Sequence, residues 1–165
     1  MPIYNRFWID PQTSQHNPTL LTLKGPALEV EISVPDDYAS ALINASLPIP
    51  QPQQGSALID TGARFTAVDI KLLERLGLPP VSTVDVVTPS GRQEQGVYMC
   101  RMVFPGTDIP ALQPMAVTGS QLEPFGHVAL IGRDILNYAL LAALVLTTRI
   151  LAVRGYKEKD FLQTV

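Results

Sequence analysis

Fifteen prolines and eleven glycines recur along the 165 residues, and no other feature limits the fold as much. Proline lacks an amide proton and glycine loses the most backbone entropy on ordering, so both interrupt helices. Helices are therefore expected to be few and short. The runs between the breaks are rich in Val, Leu and Thr, which predicts a mainly β domain. The clearest case is Ala27 to Val34, where Leu28, Val30, Ile32 and Val34 alternate with Glu29, Glu31 and Ser33. That is the period of a half-buried strand.

Apolar residues make up 46% of the chain and charged residues 16%, a balance that excludes disorder. The length suits one domain with a real core. Net charge is −3 and the twelve Lys and Arg are scattered, so no nucleic-acid partner is expected. A lone cysteine, Cys100, excludes an internal disulfide and a cysteine-based zinc site. His16 and His127 share no ligand spacing, and Gly91 and Gly96 read as hairpin glycines rather than a phosphate loop. Neither metal nor cofactor is expected. Thr147, Thr148 and Arg149 interrupt the most apolar stretch, Tyr138 to Val153, whereas a spanning helix needs about 20 apolar residues. Met1 to Asp10 holds no apolar run of signal-peptide length. The expectation is a cytoplasmic protein without a membrane partner.

Along the chain, residues 1–18 read as a polar arm, 19–155 as the folded domain and 156–165 as a solvated tail. Thr19 to Lys24 and Ala27 to Val34 flank Gly25-Pro26 as an expected β-hairpin. A short helix follows Pro35-Asp36-Asp37 to about Ala45, its acids suited to a helix N-terminus. Leu47 to Gly55 is a proline-rich connector. A buried strand spans Ala57 to Ile59, and a helix runs from Asp69 as N-cap to Leu76, stopped by Gly77 and Pro79-Pro80. Thr83 to Thr88 and Val97 to Phe104 form a hairpin with Pro89-Ser90-Gly91-Arg92 at its tip. Met115 to Thr118 and His127 to Ile131 are strands, and Gly132 to Tyr138 is a last short helix. Ala139 to Leu146 and Arg149 to Val153 suit either two strands or a helix.

Between the first two helices lies Ala57-Leu58-Ile59-Asp60-Thr61-Gly62-Ala63. Two apolar residues anchor the end of a buried strand, and an acid follows where the strand yields to a turn. The carboxylate thus meets solvent from a rigid base. Thr61 offers a hydroxyl to neighbouring backbone, and Gly62 allows a tight turn and close approach of a second copy. Such a carboxylate suits a general base acting on water. Hydrolysis of a peptide bond also needs an acid, and two carboxyl groups about 3 Å apart share one proton because both cannot ionise. The chain holds one Asp-Thr-Gly, no Asp-Ser-Gly and no internal repeat. The second aspartate must come from another copy, as a two-fold dimer supplies.

In these features the chain resembles the retroviral-type (retropepsin-like) aspartic proteases, their bacterial members in particular. Three segments match in order over about residues 20–140. They are Ala57 to Ala63, the hairpin from Thr83 to Phe104, and Val128-Ala129-Leu130-Ile131-Gly132-Arg133-Asp134-Ile135-Leu136. The resemblance implies a single-lobed closed β-barrel with two or three short helices, completed as a homodimer. It implies an aspartic endopeptidase that hydrolyses polypeptide through water, with Asp60 of each chain as the dyad and no covalent intermediate. Thr61, Gly62 and Ala63 would shape the active-site loop. Leu130, Ile131, Gly132, Arg133 and Asp134 would support it from behind. Thr88, Pro89, Ser90, Gly91 and Arg92 would form a flap over the bound peptide.

Arg64 departs from that pattern, since retroviral enzymes carry there an acid that holds peptide backbone and pairs with the later arginine. Two readings of Arg64 stand side by side: Asp134 mediates between Arg64 and Arg133, or Arg64 is a solvated arginine with no special role. Two other classes remain: a catalytically silent dimer that binds peptides or serves assembly, and a β-barrel that binds a small ligand. His127 and Cys100 are expected at core or strand positions rather than as a nucleophile pair.

Overall fold

The computed structural model describes residues 4–5, 12–15, 17–88, 91–107, 109–137, 139–143 and 151–155, the first and last two of these segments by backbone alone. Most of the expected arm, the tail, Pro89, Ser90 and Tyr138 lie outside them. The described residues are mainly β, with four short helices and one 3-10 turn.

The strands and helices follow in chain order. Tyr4–Asn5 is β1 and Pro18–Lys24 is α1. Ala27–Ser33 is β2, Asp36–Asn44 is α2 and Gln53–Ile59 is β3. Ala67–Asp69 is β4 and Ile70–Arg75 is α3. Ser82–Thr88 and Gly91–Val103 are β5 and β6, and Leu112–Ser120 is β7. Ala129–Ile131 is β8, Arg133–Leu136 is α4, and Ala139–Ala143 and Leu151–Gly155 are β9 and β10.

One sheet has the order β2-β3-β8-β4-β7-β6-β5, and β2 pairs again with β6 through Glu31↔Val103, Ile32↔Met102 and Ser33↔Arg101. Within it β8 lies parallel to β3 and antiparallel to β4. The core of this sheet is filled by Val30, Ile32, Leu72, Leu73, Met102 and Ile131, all buried. A second sheet has the order β1-β10-β9, so the segment after Tyr138 is strand over 139–143 and 151–155. No helix among the described residues is long and apolar enough to cross a membrane.

Three expectations are corrected. Thr19 to Lys24 is not the first arm of a hairpin but the body of α1. Asn17 caps it, its side-chain oxygen accepting from Thr19 N at 3.0 Å, and Pro18 stands at the first helical position. Gly25 follows Lys24 with φ 69°, the left-handed residue that ends a helix. Second, β3 reaches back to Gln53, so the end of the proline-rich connector, Gln53 to Gly55, is strand, paired to Ile32, Glu31 and Val30. Third, the hairpin turn is tighter than its polar sequence suggests. Gly91 pairs with Thr88, Arg92 with Val87 and Gln93 with Val86, so the polar residues 92–95 are strand. Polar residues occupy a strand readily where the ribbon is exposed to water, as here, and a two-residue link suits such a hairpin.

Helix α3 begins as expected at Asp69, whose Oδ1 accepts from Lys71 N at 3.0 Å. Its other oxygen accepts from Leu122 N at 2.8 Å and Glu123 N at 2.9 Å, tying α3 to the 3-10 turn Glu123–Phe125. Lys71 and Glu123 form an exposed ion pair over this joint. Burial alone would raise the Asp69 pKa, but the backbone N–H groups of Leu122, Glu123, Leu72 and Lys71 outweigh it and hold the carboxyl below its usual 3.8.

An Asp69→Ala variant leaves these N–H groups without their acceptor and should lose about 3 kcal/mol in urea unfolding at pH 7. Because the folded pKa is depressed, the contribution is complete above 3.8 and fades as pH falls through the lower folded value. The gap in stability between wild type and variant should therefore narrow in acid. A gap that persists unchanged at about pH 2 would contradict the assignment.

Candidate active site

Asp60 follows directly on β3, which is paired on both sides, to β2 and to β8. Ile59 is buried, its N–H donating to Pro26 O at 2.8 Å, and Asp60 N donates to Ile131 O at 3.0 Å. The backbone beneath the carboxylate is thus held from two directions. Beyond it the chain turns sharply, and Gly62 N and Ala63 N donate to Asp60 Oδ1 at 2.8 and 3.2 Å. This is an Asx turn, in which an aspartate closes the loop that follows it. Asp60 Oδ2 has no hydrogen-bond partner among the described residues. A Cβ on Gly62 would stand 3.1 Å from Asp60 Oδ1, tight against the carboxylate.

The later motif grips this loop from behind. Leu130 and Ile131 pair with Leu58 and Ile59, carrying β8 alongside the strand that bears Asp60. Arg133 N donates to Ala63 O at 3.0 Å, and Arg133 Nη1 donates to Thr61 O at 3.1 Å and Gly62 O at 3.4 Å. Asp134 Oδ2 accepts from Thr66 N at 2.8 Å, and Oδ1 accepts from the Thr66 hydroxyl at 2.7 Å. The same hydroxyl accepts from Gly132 N at 3.1 Å. A Cβ at Gly132 would fall 2.5 Å from Phe65 C and 2.6 Å from Phe65 O, so glycine is required there by space rather than by backbone angle.

The expected mediation by Asp134 between the two arginines is not observed. Its carboxylate faces Thr66, because the buried hydroxyl and N–H of that residue fill both oxygens. Arg64 instead lies over the Phe65 ring, its Cζ 4.8 Å from the centroid. Thr66 was not singled out in the sequence. Its signal is a lone hydroxyl in the apolar run Phe65-Thr66-Ala67-Val68, opposite an acid whose donors had to be found.

In front of Asp60 is a cleft of about 570 Å³. Its far wall comes from the β5–β6 ribbon, through Asp85, Val86, Val87 and Gln95. The hairpin therefore faces the loop through its strands. Gly91 and Arg92 are exposed and do not line the cleft, Arg92 Nη1 lying 3.7 Å from Asp85 Oδ2, and the side chains of Thr88, Pro89 and Ser90 lie outside the described residues. Cys100 is fully buried, and burial pushes its thiol up to about 12, which unfits it as a nucleophile. Among the described residues no three His, Cys, Asp or Glu are gathered as metal ligands.

Residues 48–121, from before β3 to just past β7, match the model of a family described as aspartyl protease. The resemblance to the retropepsin-like aspartic proteases holds. Two solved structures are also similar. The Simian Foamy Virus (mac) protease is 21% identical, covering 68% of this chain and 93% of its own, with a TM-score of 0.42. The retroviral protease-like domain of Ddi1 from Leishmania major is 21% identical, covering 81% and 96%, with a TM-score of 0.39. No curated protein matches the chain.

Since the Asp60 loop hangs on Thr66 and Gly132, two substitutions should loosen it. Thr66→Val orphans Gly132 N and half of Asp134, and should cost about 2 kcal/mol. Gly132→Ala forces a Cβ into backbone and should cost about 3 kcal/mol or more. Chemical denaturation reads both, and a Gly132→Ala protein as stable as wild type would contradict the close approach.

Proposed function

We propose that the chain is an aspartic endopeptidase acting as a homodimer, with Asp60 of each protomer forming the catalytic dyad. The observation that carries this reading is the setting of Asp60. One carboxylate oxygen is fixed by two backbone N–H groups, the other is without a partner among the described residues, and both stand at the wall of a cleft. The match of residues 48–121 to an aspartyl protease family supports the chemistry. The β2–β6 pairing supports a closed, single-lobed barrel within the 19–155 domain.

In this reading the loops of two copies meet across a two-fold axis, and Asp60 meets Asp60 of the partner subunit. Like charges at such range share one proton. The ionised carboxylate takes a proton from water, and the water oxygen bonds to the peptide carbonyl carbon. The protonated carboxyl passes its proton to the carbonyl oxygen, giving a neutral tetrahedral diol. The newly protonated carboxyl gives its proton to the nitrogen while the other carboxylate takes one from a diol hydroxyl. The C–N bond thus breaks to acid and amine, and the dyad again holds one proton. No covalent bond to the protein forms. Thr61, Gly62 and Ala63 shape the loop, and Leu130, Ile131, Gly132, Arg133 and Asp134 hold it. The polypeptide lies extended against β5, which ends its sheet and lines the cleft. The hairpin end from Thr88 to Arg92 acts as the flap, closing over substrate to exclude water.

Asp60→Asn keeps the shape of the side chain but removes the base, so peptide cleavage should fall about a thousandfold or more while the fold persists. Cleavage undiminished in that variant would remove Asp60 from the chemistry. Wild type that folds, dimerises and binds peptide yet cuts no member of a peptide library would leave a silent binding module instead.

Specific activity followed through a dilution series with sedimentation should vanish as the monomer appears. Constant specific activity on a purely monomeric species would contradict the shared dyad.

A further inference from the structure

Two guanidinium groups line the cleft beside Asp60, those of Arg64 and Arg133. Their surroundings differ. Arg133 donates to the carbonyls of Thr61 and Gly62 and so belongs to the loop. Arg64 is exposed and, among the described residues, has neither a hydrogen bond from its side chain nor a carboxylate within ion-pair distance. Asp134 is engaged with Thr66 and Asp85 faces Arg92, while Asp60 is held by Gly62 and Ala63 through Oδ1 and forms no ion pair with Arg64. What Arg64 does have is the ring of Phe65, also at the cleft wall, 4.8 Å below its Cζ.

Stacking on an aromatic face limits where a guanidinium sits and leaves its N–H edge open. That edge matches a carboxylate with two parallel hydrogen bonds, a geometry a lysine does not reproduce. In a concave wall that a bound peptide covers, water is displaced and the attraction strengthens. The chain as a whole carries −3 and repels acidic peptides, so a preference for them has to arise from a local cation of this kind.

We propose that Arg64 is a specificity-determining residue, which selects polypeptides carrying an aspartate or glutamate side chain close to the bond presented to Asp60. The substrate class rests on the proteolytic reading above, but the recognition itself requires no cleavage.

The test uses the full chain and a set of fluorescent decapeptides in which a single Glu or Gln is moved through each position. Binding is measured to Asp60→Asn, so that nothing is cut, and cleavage is measured with wild type. At one position Glu should bind about tenfold more tightly than Gln, and the advantage should shrink as salt rises. Arg64→Gln in the Asp60→Asn background should bring that ratio close to one, and Arg64→Lys should retain part of it. In wild type the same position should appear in KM rather than kcat. Absence of any position where Glu exceeds Gln overturns the inference, as does a ratio that survives Arg64→Gln in a protein with an unaltered circular dichroism spectrum. Cleavage without acidic preference would overturn the role of Arg64 and leave the peptidase intact. Arg64-dependent binding of Glu peptides with no cleavage of any would support that role and remove the peptidase.

Discussion

The carboxylate of Asp134 and the buried Thr66 meet across 68 residues of sequence, and the geometry around Asp60 depends on that meeting. Thr66 gives its N–H and its hydroxyl proton to the acid and takes the Gly132 N–H in return. The buried Thr66 hydroxyl and the half-buried Asp134 carboxylate thereby satisfy each other, and an unmet partner at the buried end would cost more than the bond contributes. With this junction closed, β8 lies against β3 and Arg133 reaches the carbonyls of Thr61 and Gly62 in the turn after Asp60. The half-buried Asp60 carboxylate owes part of its rigidity to Thr66, Gly132 and Asp134, which do not line the cleft.

Asp69 repeats the device on the next element. One oxygen starts α3 and the other captures the 3-10 turn near residue 122, so a single acid joins a local cap to a distant one. The two acids anchor both ends of the segment between the Asp60 loop and α3. Between them lies β4, three buried residues paired parallel to β7 and antiparallel to β8. A strand so short owes its position to its neighbours more than to its own propensity.

Much of this was legible in the chain. The alternation at Leu28, Val30 and Ile32 appears as β2, and Asp69 and Gly77 bound α3 as cap chemistry requires. The loop and its supporting segment were picked out as a pair and are found in contact. The first hairpin was misread although the cue was present: Asn17-Pro18 ahead of the run and Gly25 behind it outweigh the β-preference of Thr19 and Thr22. Gly91 and Arg92 look like part of the hairpin tip in the sequence yet pair with Thr88 and Val87, because an exposed ribbon is as polar as a loop.

By itself the sequence determined the β character, the breaks between elements and the acid at the end of a buried strand. Each of these arises from backbone constraints acting over a few residues. The tertiary structure alone decided which groups Asp69 and Asp134 face, that β2 returns to β6, and that Arg64 stacks on Phe65 rather than pairing with Asp134. Those outcomes turn on which donor reaches a carboxylate first in three dimensions. Thr66 adjoins the acid with two donors fixed to the backbone it stabilises, whereas a long arginine side chain would give up rotamer freedom to compete for a site already filled.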